Sequence, residues 1–113
     1  MASRGDVLRL KTRLGFAPKG EEDSVVVVQA DGLNALLPSL VVVPLDSAVH
    51  LYAGHPAAVL VPAKEAGSRL DQVAVVPHVG VVLADRLATG AVGHLSAQTL
   101  SRLDRVLRLV LAL

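Results

Sequence analysis

Acidic and hydroxyl side chains stand at the ends of two apolar, strand-like segments. Asp23 and Ser24 come directly before a run of four valines, and Asp46 and Ser47 follow the apolar segment 40–45. Carboxylates and hydroxyls at such positions could transfer protons or donate hydrogen bonds in a reaction. Caps and turns use the same residue types and are the better explanation on sequence grounds alone. If the two segments are adjacent strands, both pairs of side chains come together.

The remaining reactive residue types do not form a metal or cofactor pattern. No pair of histidines has i,i+4 spacing on a helix, and the chain has no cysteine to complete a zinc set. Ser96 precedes an apolar helical pattern and is expected to be its N-cap rather than a nucleophile. We therefore predict no metal and no cofactor. The histidines, expected to be exposed or structural, are His50, His55, His78 and His94.

The elements that must position these side chains are mostly short strands. A long mobile loop is predicted over residues 11–23, because glycine, proline and charged residues dominate that segment. Residues 31–38 suit at most a short helix, and residues 80–87 are ambiguous between a short helix and a strand. Strands are predicted at 5–10, 24–29, 40–45, 57–62 and 68–76.

The C-terminal segment predicts the clearest element, an amphipathic helix that Ser96 begins. Leucines and a valine recur at helical spacing, and Asp104 with Arg108 forms an i,i+4 pair worth about 0.3 kcal/mol. Five short strands with irregular connections and one closing helix predict a small, strongly bent sheet or barrel. The apolar positions of the helix are Leu100, Leu103, Leu107 and Val110.

Composition limits the function classes. The chain has 113 residues, which fits one domain spanning 1–113, and only 2% of them are aromatic. The absence of cysteine fits a reducing, cytoplasmic compartment, and no apolar run approaches the roughly 20 residues of a membrane span. A net charge of +1 does not by itself indicate nucleic-acid binding, although basic residues crowd both ends of the chain.

The order of the segments resembles the MazF/PemK family of toxins from type II toxin–antitoxin systems. The resemblance covers nearly the whole chain. It rests on "RGDVLRL", a long loop, "VVVVQADGLN", "LVVVPLDSA", "SRLDQVAVV", "LADRL" and finally "VGHLSAQTLSRLDRVLRLVLAL". The last of these is the most specific, a Gly-x-Leu-Ser followed by a helix rich in leucine and arginine.

The resemblance implies a mainly β fold, a small SH3-like barrel with a C-terminal helix and short helical turns, working as a homodimer. It also implies metal-independent cleavage of single-stranded RNA at short sequences, in which the 2′-hydroxyl attacks the adjacent phosphate and leaves a 2′,3′-cyclic phosphate. The implied partner is a cognate antitoxin whose disordered, acidic tail covers the active site.

The chain departs from the family where the catalytic groups are expected. Asp23 and Ser24 occupy the position of the usual Arg-Pro pair, Asp46 occupies the position of the usual Thr, and Ser47 keeps a hydroxyl one residue further on. Two carboxylates would repel a scissile phosphate, each by about 4 kcal/mol at 4 Å in an effective dielectric of 20.

Three hypotheses follow from this departure. In the first, the chain is an active ribonuclease that uses Ser47 and Asp46 with Arg13 as the replacement cation, while Arg13, Lys19 and Gln72 bind RNA. In the second, it is a member without nuclease activity that acts by binding its antitoxin or another partner. In the third, it poisons a protein target such as DNA gyrase through a dimer surface. Family membership favours the first.

Overall fold

The computed structural model describes residues 2–113, and one curled antiparallel sheet of seven strands dominates it. The neighbours in the sheet follow the order β4-β5-β3-β2-β1-β7, and β6 also pairs with β3. The strands are β1 Asp6–Arg9, β2 Ser24–Val27, β3 Ser39–Asp46, β4 Ala58–Val61, β5 Gln72–Val75, β6 Gly80–Leu83 and β7 Gly93–His94.

The long strand β3 produces the curl and sets the geometry of the site. Its first half pairs with β6, and its last two residues pair with β5. A strand that changes partners along its length must bend between them. On its other edge β3 pairs with β2, and Val25 lies opposite Pro44. The two segments are therefore adjacent strands, and the start of β2 lies beside the end of β3.

Both faces of the sheet are covered, which explains why β2 is apolar at consecutive positions. Val26 and Val43 belong to one buried cluster with Leu103 of the C-terminal helix. Val25 and Val27 belong to a second cluster on the other face. Because neighbouring side chains of a strand point to opposite faces, a valine at every position fills both cores.

The C-terminal helix, α3, follows two shorter helices and matches its prediction closely. The Ser96 side chain accepts a hydrogen bond from the Thr99 backbone N–H at 3.2 Å, and Leu103 is fully buried. The predicted pair between Asp104 and Arg108 is wrong, because Asp104 pairs with the Arg4 guanidinium instead. The helices are α1 Asp31–Asn34, α2 Ala63–Ala66 and α3 Ala97–Leu111.

The expected fold class is confirmed: the chain is mainly β with a C-terminal helix, and the differences are local. The predicted strand 68–76 shrinks to Gln72–Val75, because Ser68 and Arg69 bind a loop instead of a neighbouring strand. Segment 80–87 divides into β6 and a 3-10 helix. Among the described residues, no helix is long and apolar enough to cross a membrane. The three 3-10 helices are Val49–Tyr52, Val76–His78 and Ala84–Arg86.

Candidate active site

Asp23 is buried at the start of β2, where it anchors the loop between β1 and β2. Its carboxylate accepts backbone N–H groups from Gly15 at 3.1 Å, Phe16 at 2.7 Å and Ala17 at 2.8 Å, and a fourth from Leu14. Consecutive N–H groups that point at one anion form a nest that binds negative charge. Asp23 therefore fixes the segment 14–17, and this part of the predicted mobile loop has a defined position.

The electrostatics of Asp23 follow from these contacts. Burial on its own would raise the pKa of the carboxyl group, but the hydrogen bonds from Leu14, Ala17, Phe16 and Gly15 outweigh it and hold the pKa below its usual value. The group is ionised at neutral pH, so it has no proton to donate there. The four N–H dipoles offset its charge, and the repulsion of a phosphate is smaller than a free carboxylate would exert.

Ser47, just after β3, holds the same loop from the other side. Its hydroxyl donates to the Phe16 carbonyl oxygen at 2.7 Å, and its backbone N–H donates to that oxygen at 2.8 Å. The carboxylate of Asp46 accepts the Ala48 N–H at 2.8 Å, which closes a local turn. The start of β2 and the end of β3, which pair directly, thus both hold Phe16 of the loop. Ser24 is buried within β2.

The second half of the loop is tied to the segment after α2. Glu21 accepts the Ser68 hydroxyl at 2.6 Å and the Arg69 backbone N–H at 3.2 Å. The Ser68 hydrogen bond is the main cause that lowers the pKa of Glu21. The Arg69 guanidinium in turn donates to the Lys19 carbonyl at 2.7 Å. Contacts therefore hold the first part of the loop, at residues 14–17, and its second part, at Lys19 and Glu21.

The two predicted RNA-binding cations lie on this loop and are exposed. Arg13 directly precedes Leu14, the first residue that Asp23 holds, so its backbone is close to the fixed segment. Lys19 uses its backbone carbonyl, not its ammonium group, in the contact with Arg69. Both side chains are accessible to an anionic ligand at the loop surface.

The expectation that Gln72 binds RNA is corrected by its burial. The Gln72 side chain is 1% exposed, and its amide oxygen lacks a hydrogen-bond partner among the described residues. An RNA strand on the surface has no access to it. The neighbouring Asp71 accepts the backbone N–H of Ala63 at 2.7 Å and so holds the start of α2.

A groove beside Ser47 contains residues that the sequence did not single out. Its narrow end is lined by Phe16, Asp46 and His78, and its wider end, about 190 Å³ in volume, is lined by Tyr52, His55 and His78. Val75 lines both ends as well, so the two cavities are adjacent. We call this feature the His78 groove. Its lining residues include Phe16, Asp46, Tyr52, His55, Val75 and His78.

The His78 groove had no clear signal in the sequence, because its members come from four separate segments. The pairing of Asp46 with Val73 brings β5 beside the end of β3, and the 3-10 helix Val76–His78 continues from β5. In residues 2–113, no cluster of three or more histidine or acidic side chains could hold a metal ion.

Comparison with known proteins adds the following. A family model described as "PemK-like, MazF-like toxin of type II toxin-antitoxin system" matches residues 3–111. No curated protein sequence matches the chain. A structure described as an endoribonuclease in complex with its cognate antitoxin from a Mycobacterial species is 19% identical, with a TM-score of 0.78, and the match covers 100% of this chain and 97% of that one.

Two further solved structures share the fold. The Mycobacterium tuberculosis toxin MazF-mt6 is 17% identical with a TM-score of 0.73, covering 94% of this chain and 96% of its own. A MazE-MazF structure from Deinococcus radiodurans is 18% identical with a TM-score of 0.74, and the match covers 99% of this chain and 96% of that one. At this level of identity the likeness concerns the fold.

Proposed function

This chain belongs to the PemK-like, MazF-like family of toxins from type II toxin–antitoxin systems, and from that premise we propose that it is an endoribonuclease of single-stranded RNA. The match of the family model to residues 3–111 carries the proposal. The similar structure described as an endoribonuclease, which the chain covers end to end, adds support. The proposed reaction is metal-independent and leaves a 2′,3′-cyclic phosphate and a 5′-hydroxyl.

The proposed chemistry has to work without the usual arginine. Arg13 and Lys19 supply the positive charge that stabilises the phosphorane, since both are exposed on the loop. The Ser47 hydroxyl supplies a hydrogen-bond donor once RNA displaces the Phe16 carbonyl from it. Asp46 stands beside Ser47 and orients the turn. The carboxylate of Asp23 serves as a loop anchor and takes no part in proton transfer.

The fixed loop has a functional consequence within this proposal. The segment 14–17 is held between Asp23, which the resemblance places at the usual Arg-Pro position, and Ser47, which follows the usual Thr position at Asp46. RNA that reaches Ser47 must therefore release at least the contact to Phe16. Loop opening then becomes a step that precedes cleavage, as it does in many enzymes with closing loops.

We propose a homodimer as the working form. Five large apolar side chains on α1, on the turn that follows it and on β6 are 46% to 78% exposed. The turn after α1 leads directly into β3, whose first residue, Ser39, pairs with Leu83 of β6, so the end of this turn lies beside β6. A contiguous exposed apolar surface of this kind is typical of an interface. The surface, which we call the α1–β6 surface, consists of Leu33, Leu36, Leu37, Val81 and Leu83.

The further partner is a cognate antitoxin, and the proposed location is the cytoplasm. Two of the similar structures are described as complexes, one with a cognate antitoxin and one as MazE-MazF. A disordered, acidic antitoxin tail would meet the exposed cations of the loop, which include Arg13 and Lys19.

One observation favours a second candidate function, a member without nuclease activity that binds its antitoxin or a protein target such as DNA gyrase. Asp23 stands where the resemblance expects an arginine and is engaged in loop anchoring, and the Ser47 hydroxyl already has an acceptor. A gyrase supercoiling assay tests the gyrase form of this candidate, because a ribonuclease specific for single-stranded RNA does not inhibit supercoiling of DNA.

Incubation of the purified protein with a long RNA in EDTA tests the nuclease proposal. Discrete cuts with cyclic-phosphate ends are the expected result. Absence of cleavage at high concentrations of antitoxin-free protein would remove the nuclease proposal and leave the binding alternative.

A further inference from the structure

The only two aromatic rings of the Phe, Tyr and Trp classes in this chain lie at opposite ends of the His78 groove. Phe16 is 49% exposed, although a phenylalanine ring is normally buried. Its backbone N–H is held by Asp23, and this contact is separate from the carbonyl contact to Ser47 that RNA has to displace. A ring that is exposed and held by its backbone is suited to stack on a base of a single strand.

Tyr52 stands at the other end together with His55. The two rings meet edge to face with a centroid distance of 6.5 Å. The His55 Nδ1 atom accepts the Ala57 backbone N–H at 3.1 Å, so neutral His55 carries its proton on Nε2. An Nε2–H group is a hydrogen-bond donor, and a phosphate oxygen is a strong acceptor for it.

His78 lies between these ends, since it lines both cavities of the groove, and its side chain is exposed. Imidazole is the side chain whose ordinary pKa is best placed for proton transfer near neutral pH. The other titratable groups that line the groove are Asp46, Tyr52 and His55. Asp46 lines the narrow end, so a carboxyl group stands on the same cavity as His78.

We propose that the His78 groove binds single-stranded RNA, with bases stacked on Phe16 and Tyr52, and that His78 is the general base of the cleavage reaction. This inference rests on the proposed nuclease function and supplies the proton acceptor that the missing arginine leaves open. The Asp23 carboxylate is occupied by four N–H groups. The Ser47 hydroxyl is not basic enough to accept the proton of a 2′-hydroxyl.

The proposed reaction needs no metal and no co-reactant other than water. The His78 imidazole takes the proton of the 2′-hydroxyl as the 2′-oxygen bonds to phosphorus. The bond from phosphorus to the 5′-oxygen breaks, and that oxygen takes a proton from water. The imidazolium then gives its proton to the resulting hydroxide, which regenerates His78. The products are a 2′,3′-cyclic phosphate and a 5′-hydroxyl.

Cleavage kinetics with His78→Gln and His50→Gln test the catalytic role. His50 is also exposed but does not line the groove, so its variant is the matched control. We expect His78→Gln to lower the rate roughly 10²- to 10⁴-fold and to change the pH profile of the rate, while His50→Gln stays within about twofold of the wild-type rate and keeps the wild-type profile. If His78→Gln cleaves RNA as fast as the wild-type protein does, the proposed role of His78 is overturned and the nuclease proposal still stands.

A binding measurement tests the groove even if the wild-type protein cleaves no RNA. The probe is a single-stranded oligonucleotide with 2′-deoxy sugars, which cannot undergo the reaction. The imidazole proton resonances of His78 and His55 should shift on addition of the probe, and those of His94 should not. Phe16→Leu and Tyr52→Leu should each weaken binding about tenfold, and Leu70→Ala should not. Unchanged resonances at His78, or unchanged affinity in both ring variants, overturns the groove as the RNA site.

Discussion

The Asp23 carboxylate accepts the backbone N–H of Phe16 at 2.7 Å, and this contact determines what the acidic start of β2 does. The residue that stands where the resemblance expects a catalytic cation is a structural anchor for the loop. The same carboxylate also holds Leu14, Gly15 and Ala17. Positive charge for any reaction at this site must therefore come from elsewhere on the surface, and the loop itself carries Arg13.

Replacement of Asp23 by asparagine should loosen the loop. An amide NH2 group cannot accept an N–H, so at least one oxygen's hydrogen bonds are lost and the charge disappears. We expect the free energy of unfolding to fall by about 1–3 kcal/mol. The amide hydrogens of Phe16 and Ala17 should exchange faster with solvent. Urea unfolding and amide hydrogen exchange measure the two effects.

Glu22→Gln is the matched control for that experiment. Glu22 is an exposed neighbour whose contact to Arg9 is 3.5 Å long, so its loss should change stability by less than about 0.5 kcal/mol. Equal stability of Asp23→Asn and Glu22→Gln would contradict the anchoring role.

Stability should decline in acid partly through Asp23. Its pKa is lower in the folded chain than in the unfolded chain, because the backbone hydrogen bonds to its carboxylate outweigh burial. The contribution is therefore fully present above the unfolded pKa of about 4 and is lost as the pH falls through the lower folded pKa. Unfolding free energies measured from pH 7 down to pH 2 should show a shallower decline in Asp23→Asn than in the wild type. Parallel curves would contradict this assignment.

The sequence predicts the fold better than the site, and particular residues show why. Four consecutive valines identify a strand buried on both faces, and the N-cap Ser96 with its apolar stripe identifies α3; both signals are local. The partner of Asp104 could not be predicted, because Arg4 reaches it only in the folded chain. Phe16 and His78 likewise come to line one cavity only after β5 pairs with β3.

Ser47→Ala should lower RNA cleavage, and Ser47→Thr should retain most of it. The alanine variant loses the hydroxyl that we propose as a donor to the reacting phosphate, but it keeps the backbone N–H that binds Phe16. We expect a loss of about tenfold or more in the cleavage rate with a stability change of only about 0.5–1.5 kcal/mol. Single-turnover kinetics measure the cleavage rate, and thermal unfolding measures the stability change. An alanine variant as active as the wild type would exclude the hydroxyl from the reaction.

Arg13→Ala should lower cleavage without affecting the fold, because the side chain is exposed and supplies charge to the phosphate in our proposal. Removal of one such group costs about 10²-fold in comparable sites. Arg102→Ala is the matched control, since Arg102 is an exposed arginine on α3. The cleavage assay in EDTA at constant ionic strength measures both variants. A loss of the same size in both would indicate a general charge effect instead of a role for Arg13.

The α1–β6 surface should hold the proposed homodimer together. Sedimentation at micromolar concentration is expected to give twice the 11.7 kDa mass of the chain. Leu36 is 78% exposed and Val81 is 70% exposed, so Leu36→Glu and Val81→Lys should leave the monomer fold intact. Each places a charge in the proposed interface without a partner, which should shift the protein toward monomer. Leu70→Glu, at an exposed leucine outside this surface, is the control and should remain dimeric. A wild-type monomer would exclude the homodimer, and a dimer that persists in both variants would place the interface on a different face.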